Sequence, residues 1–196
     1  MWEMKVLLLD RPQEVTVEEL ERDLELLPQW RRDMVLAYKF HMGRVLSAKA
    51  YLLLAQGVSE VWGIDEPLEF VVGKHGKPSL KGHPEVHFNL SHCHSGVLCV
   101  VDDRPVGCDI ERIVSEVKMD LCRYCMSDEE IATITSATNP CLEFTRLWTM
   151  KEAILKLTGE GINKDMHYLL SSPEAARVQL TTVTSPTYVY SIARWA

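Results

Sequence analysis

The sequence has little that would send it to a membrane or to a nucleic acid. Its N-terminal apolar run, Val6 to Leu9, is closed by Asp10-Arg11-Pro12 and is too short for a signal-peptide core or a membrane span, so it reads as a strand. Basic residues are in deficit: 21 Lys and Arg against 28 Asp and Glu leave a formal charge of −7. That balance argues against duplex binding by bulk electrostatics, although a local basic patch could still hold a phosphorylated small molecule. Cys122-x-x-Cys125 has no second Cys-x-x-Cys to complete a zinc site and no thioredoxin-like surroundings, so packing is the simpler role. With no export signal in view, the six cysteines are expected to be reduced thiols in a cytoplasmic protein. What remains is a 196-residue chain, 46% hydrophobic, able to bury a real core in one or two compact domains.

Local signals alternate between helix and strand. Thr16-Val17-Glu18-Glu19 reads as a capping box opening a helix that Pro28 closes after Leu27, and a longer helix is expected from about Asp33 to Gln56, stopped by Gly57. Short apolar or alternating runs at Leu68–Val72, Val86–Leu90, Gly96–Val101 and Val106–Ile110 read as strands. Ser127-x-x-Glu130 is another capping box, and Asn139-Pro140 breaks its helix before the one containing Trp148, which Gly159 and Gly161 end. Strand character returns at Val178–Val183 and Thr187–Ala193 around a Ser185-Pro186 turn. The expected architecture is α+β, two similar lobes spanning 1–104 and 105–196 with a seam near Asp102–Pro105, although no residue-level repeat is visible. A cleft between the lobes is the natural place for a site.

Charged residues fall where packing would ordinarily exclude them. In the run Phe144 to Lys156, Phe144, Leu147, Ile154 and Leu155 share one helical arc, Glu152 and Lys156 stack one turn apart beside it, and Lys151 lands inside it. An ammonium in that place must snorkel, pair with an anion or bind something negative. In Val106-Gly107-Cys108-Asp109-Ile110-Glu111 the apolar residues alternate with the rest. A strand there would bury one face and present Asp109 and Glu111 together on the other, Cα atoms roughly 6.5–7 Å apart. Such a pair is either solvated surface or half the oxygen shell of one hard cation. Gly107 leaves that face open beside Asp109, as close approach of a ligand would require.

Several residues are suited to phosphate. Lys77 in Gly76-Lys77-Pro78 sits in a turn that Pro78 stiffens, and Ser91-His92 ends the Phe88-Asn89-Leu90 strand with a hydroxyl and an imidazole. Each is also an ordinary surface or turn residue when read singly, as are Lys39, Arg44 and Lys49. Seven histidines raise zinc as an option, but Pro84 argues against the helix that would align His83 and His87. The acids suit magnesium instead.

Taken in order, Gly76-Lys77-Pro78, Phe88 to His92, Val106 to Glu111 and Trp148 to Lys156 resemble the motifs of the Sfp-type 4′-phosphopantetheinyl transferases, in spacing as well as in words. The resemblance implies a pseudo-symmetric two-lobed fold with its active site between the lobes. It implies transfer of the phosphopantetheine arm of coenzyme A to a serine of an apo acyl, peptidyl or aryl carrier protein, releasing adenosine 3′,5′-bisphosphate. On that pattern Asp109, Glu111 and Glu152 would gather Mg²⁺ on the coenzyme A diphosphate. Glu152 would also serve as base, and Lys156 as proton donor or phosphate contact. Lys77, Ser91 and His92 would touch coenzyme A phosphates, with Arg44 and Arg31 as further partners and Lys151 either on a phosphate or paired with an acid from the other lobe. A monomer would suffice, and no nucleic acid or membrane is expected. A non-catalytic coenzyme A-binding protein and a metal-dependent phosphohydrolase are the competing readings.

Overall fold

The computed structural model describes residues 4–73, 76–159, 161 and 164–196. In chain order these form β1 (Lys5–Asp10), α1 (Val17–Glu25), α2 (Gln29–Leu36), α3 (His41–Trp62), β2 (Phe70–Val72), β3 (Pro78–Leu80), β4 (His87–Cys93), β5 (Gly96–Asp102) and β6 (Val106–Arg112). There follow α4 (Met119–Cys125), α5 (Asp128–Ser136), α6 (Pro140–Thr158), β7 (Val178–Thr184) and β8 (Tyr188–Trp195). Three small antiparallel sheets result, ordered β1-β5-β4, β2-β3 and β6-β8-β7. The α+β class is therefore as expected. No helix among the described residues is long and apolar enough to cross a membrane.

Both capping boxes form: Thr16 Oγ1 accepts from the Glu19 amide while Glu19 accepts from the Thr16 amide, and Ser127 and Glu130 do the same. The expected single helix from Asp33 to Gln56 is instead two. Neither Gly nor Pro marks the break at 37–40. It is held by tertiary contacts, since Arg44 donates to the carbonyls of Tyr38 (2.9 Å) and Leu36 (3.4 Å) and so satisfies the end of α2. Gly57 does not stop α3, which runs on to Trp62 and ends at Gly63 with φ +67°. Gly57 faces the sheet, where an added Cβ would lie 2.8 Å from Leu7 Cδ1, so its missing side chain lets α3 press onto β1 and β5. Asn139 caps α6 through the Leu142 amide, with Pro140 as its first residue. The short α4 and β3 carry too little periodicity to be read from sequence.

α3 covers one face of β5, while Leu98 and Val100 on its other face meet Val106, Cys108, Ile110 and Ile192 in an apolar layer joining the first sheet to β6 and β8. β4 runs beside β6 without backbone pairing. Side chains do the joining: Asn89 Oδ1 accepts the Cys108 amide (2.8 Å) and Ser91 Oγ accepts the Ile110 amide (3.3 Å). The carboxylate face of β6 is not open, as alternation suggested, because α6 lies across it. An added Cβ on Gly107 would strike the Ala153 carbonyl oxygen and the Leu157 nitrogen. The close approach that Gly107 permits is thus that of a helix backbone, not of a ligand.

The two glycines can be ranked by experiment. Gly107→Ala meets rigid backbone and is expected to destabilise by about 3 kcal/mol or more, whereas Gly57→Ala meets movable methyl groups and gains helix propensity, for a loss of about 1 kcal/mol. Denaturant unfolding of both variants checks this, and equal losses would contradict the packing described.

Candidate active site

A cavity of about 520 Å³ opens between the first sheet with α2 and α3 on one side and β6 with α6 on the other. Its lining includes Ser91 and His92 from β4, Asp109 and Glu111 from β6, Glu152 and Lys156 from α6, and Arg31 from α2. Seven residues singled out in the sequence therefore reach one place. Asp109 and Glu152 are buried, because α6 holds its Glu152 and Lys156 turn flat against β6 at Gly107.

Lys156 organises the centre. Its Nζ lies 2.6 Å from Asp109 Oδ1 and donates to Ser91 Oγ at 3.0 Å, while the Ser91 hydroxyl donates to Asp109 Oδ1 at 2.9 Å. Burial works against the ammonium, but the Asp109 charge and hydrogen bond outweigh it and hold the Lys156 pKa above the ordinary lysine value. Glu111 goes the other way: burial, then the charges of Asp109 and Glu152, push its carboxyl up to about 7. Burial, then the Asp109 charge, also raises Glu152. His92 is exposed at the rim of the cavity, yet partial desolvation and then the Lys156 charge lower its pKa.

The donor set suits a hard cation. Asp109 Oδ2 and Glu152 Oε1 are buried oxygens with no hydrogen-bond partner among the described residues, and three mutually repelling carboxyls would be relieved by a divalent charge. As they stand, though, no three His, Cys, Asp or Glu side chains among the described residues are gathered closely enough to hold an ion. The tight triad expected from sequence is not formed in this arrangement, where Lys156 takes Asp109 Oδ1.

Three expected phosphate contacts are committed elsewhere. Lys151 is fully buried on the far side of α6, donating to the carbonyls of Cys125 (2.7 Å), Met166 (2.7 Å) and His167 (3.1 Å) and pairing with Glu130 (2.7 Å). The acid it pairs with is a capping-box residue of its own lobe, not of the other as expected, because its ammonium points away from the cavity and ties α6 to α4, α5 and the turn at Lys164–Ser171. Lys77 donates to the carbonyls of Val106 (3.0 Å), Lys156 (2.6 Å) and Leu157 (3.4 Å), which stitches its loop to the negative end of α6. Burial lowers its pKa. It borders a smaller pocket next to Glu152 and Lys156. Arg44 caps α2 and does not line the main cavity. Arg31 does line it, anchored by bonds to Ser47 O (2.8 Å) and Ser47 Oγ (3.1 Å) and stacked 5.7 Å from the Tyr51 ring centroid.

Met34, Tyr38, Leu90 and Trp148 also line the cavity and were not singled out. Trp148 lies one turn before Glu152 on α6 and Met34 one turn after Arg31 on α2, a spacing that could have flagged both. The cysteines play no visible part in this chemistry: all six are free, and burial pushes the Cys108 thiol up to about 12, which leaves it an unreactive packing group.

Two outcomes follow from these charges. A carboxyl that holds its proton more tightly folded than unfolded withdraws stability as pH rises from about 4.5 to about 7. In chelator, Glu111→Gln is therefore expected to gain about 1–2 kcal/mol on the native chain between pH 5 and pH 8, allowing for solvent screening. Urea melts at both pH values measure this, and a pH-independent difference would contradict it. Lys151→Met strands the buried Glu130 charge and is expected to cost about 3–5 kcal/mol, part of which Lys151→Met/Glu130→Gln recovers. Thermal melts of the two variants decide, no recovery being the contrary result.

The family model described as the 4′-phosphopantetheinyl transferase superfamily matches residues 105–194, the segment that holds Asp109, Glu111, Glu152 and Lys156. The chain is 31% identical over 116 residues to a 4′-phosphopantetheinyl transferase of Bacillus subtilis, covering 57% of this chain and 51% of that protein. It is 36% identical over 115 residues to the 4′-phosphopantetheinyl transferase psf-1 of Bacillus pumilus, 57% of this chain and 49% of that one. With the 4′-phosphopantetheinyl transferase Sfp of Bacillus subtilis strain 168 it shares 24% identity over 187 residues, 92% of this chain and 82% of that one. The chain spans about half the length of the first two of these relatives and most of the third. Residues 105–194 thus match the 4′-phosphopantetheinyl transferase superfamily, and the longer similarity to Sfp extends over most of the chain.

Proposed function

We propose that this chain transfers the 4′-phosphopantetheine arm of coenzyme A to a serine of an apo carrier protein, acyl, peptidyl or aryl, giving the holo carrier and adenosine 3′,5′-bisphosphate. The observation that carries this reading is the meeting of Asp109, Glu111, Glu152 and Lys156 in one cavity, with buried carboxylate oxygens that have no hydrogen-bond partner among the described residues. The matched family supports it. Residues 1–104 and 105–196 act as two pseudo-symmetric lobes, each a three-stranded sheet backed by a long helix, with the reaction in the cleft between them. One such chain suffices as a monomer, working in the cytoplasm.

The transfer forms a bond from the serine oxygen to the phosphorus of the phosphopantetheine and breaks the bond from that phosphorus to the leaving adenosine bisphosphate. Such a reaction asks for positioning and charge neutralisation more than for covalent help. Asp109, Glu111 and Glu152 would hold Mg²⁺, which when bound supplies charge neutralisation on the diphosphate and eases departure of the leaving group. Glu152, whose raised pKa brings it nearer neutrality and whose Oε1 has no competing partner among the described residues, takes the serine proton. Lys156 stays protonated and meets the charge that grows on the leaving phosphate. Arg31, Ser91 and His92 line the wall where phosphate oxygens would lie. Lys77 acts by fixing the Lys156 backbone, and Lys151 by fixing the rotation of α6.

The chain's net charge is negative, so an acidic carrier must find a local docking patch. Incubation with coenzyme A, Mg²⁺ and several apo carriers, read by mass spectrometry, tests the reading. A carrier heavier by one phosphopantetheine is expected. An unchanged carrier with bound coenzyme A would indicate a binding protein, and free phosphopantetheine a hydrolase. Asp109→Ala is expected to lower transfer by about 100-fold or more while keeping the native circular dichroism spectrum. Near-normal transfer by that variant would contradict the assignment.

A further inference from the structure

The carboxylate at the centre of the cavity already has a cation. Asp109 Oδ1 receives the Lys156 ammonium at 2.6 Å and the Ser91 hydroxyl at 2.9 Å, and both donors are held by further bonds, Lys156 to Ser91 Oγ at 3.0 Å and Ser91 Oγ to the Ile110 amide at 3.3 Å. Asp109 Oδ2 is buried and has no partner among the described residues. The carboxylate is thus half satisfied, by a group whose charge repels any second cation brought to the same oxygens.

A permanent structural ion pair would be built differently. Lys151, five residues earlier on the same helix, shows the contrast: its side chain has no exposure, and three carbonyls and a carboxylate surround its ammonium. Lys156 keeps 30% of its side chain accessible on the cavity side, against 3% for Asp109. Its backbone is pinned, because Lys77 binds the Lys156 carbonyl at 2.6 Å. A fixed Cα with a four-carbon stem facing an open cavity allows the head to swing while the helix stays still.

We propose that Lys156 is a displaceable internal counter-ion. It competes with a divalent cation for Asp109 and yields when an anionic diphosphate draws its ammonium away, so that cation and coenzyme A load as a coupled pair and the metal does not bind first. The inference rests on the transferase reading for the identity of the diphosphate. The competition itself rests on the observed ion pair. Coupling of this kind is reciprocal: whatever factor coenzyme A adds to metal affinity, the metal adds to coenzyme A affinity.

Metal titration separates the possibilities. Chelator-treated wild type, Lys156→Met and Asp109→Asn are titrated with Mn²⁺, the free ion being followed by electron paramagnetic resonance, with and without saturating coenzyme A. Without coenzyme A, Lys156→Met is expected to bind Mn²⁺ about tenfold or more tighter than wild type, because one charge-assisted hydrogen bond no longer has to be broken. The tightening that coenzyme A causes should shrink by the same factor. Asp109→Asn should abolish protein-bound Mn²⁺. Equal Mn²⁺ affinity of Lys156→Met and wild type without coenzyme A would overturn the proposal, as would Mn²⁺ binding that survives Asp109→Asn. Lys156→Gln, checked by circular dichroism, replaces Lys156→Met if the latter fails to fold. The mass assay reads the transferase activity independently. A modified carrier without the Lys156→Met effect removes the counter-ion alone, and that effect without a modified carrier removes the transferase reading alone.

Discussion

The structure turns on Ser91, whose single hydroxyl joins two strands that share no backbone ladder and holds the central charges of the site. β4 and β6 lie side by side, and the amides of Cys108 and Ile110 on β6 would be orphans in a buried place without Asn89 and Ser91. The same Ser91 oxygen meets Lys156, and its hydrogen meets Asp109. Assembly of the sheets and assembly of the site are therefore one event. The apolar layer of Leu98, Val100, Val106, Cys108 and Ile110 supplies the driving force beneath it, and the polar bonds fix the register.

Electrostatics then divides the labour along α6. Two lysines five residues apart meet opposite fates: Lys151 is spent on carbonyls and Glu130 behind the helix, and Lys156 faces the cavity beside three acids. Lys77 is a third, buried against the C-terminal carbonyls of α6. The excess negative charge that remains shows in the raised carboxyls of Glu111 and Glu152, which burial and mutual repulsion push the same way. Crowded acids of this kind are the donor type that a hard cation would relieve.

Much of this was legible in the sequence, for reasons that are themselves local. Capping boxes are written in four residues, and both were found; alternation in Val106–Ile110 gave β6. The acids and Lys156 were legible because a charge beside an apolar arc has to be explained. What sequence could not show was set by partners that leave no trace in it. The break between α2 and α3 is made by an arginine on carbonyls, and Gly57 and Gly107 serve helix–sheet contacts that looked like a stop and an open face. The true partners of Lys77, and most of those of Lys151, are backbone carbonyls, which are present at every position and mark none.

On the proposed function, Asp109, Glu111 and Glu152 would close on one divalent ion when a diphosphate enters beside Lys156. Anomalous diffraction from a crystal grown with Mn²⁺ and coenzyme A tests it most directly. One strong manganese peak is expected within bonding distance of all three carboxylates and of diphosphate oxygens, with the Lys156 ammonium moved from Asp109 onto phosphate. A peak elsewhere in the molecule, or coenzyme A bound with Lys156 still on Asp109, would contradict it.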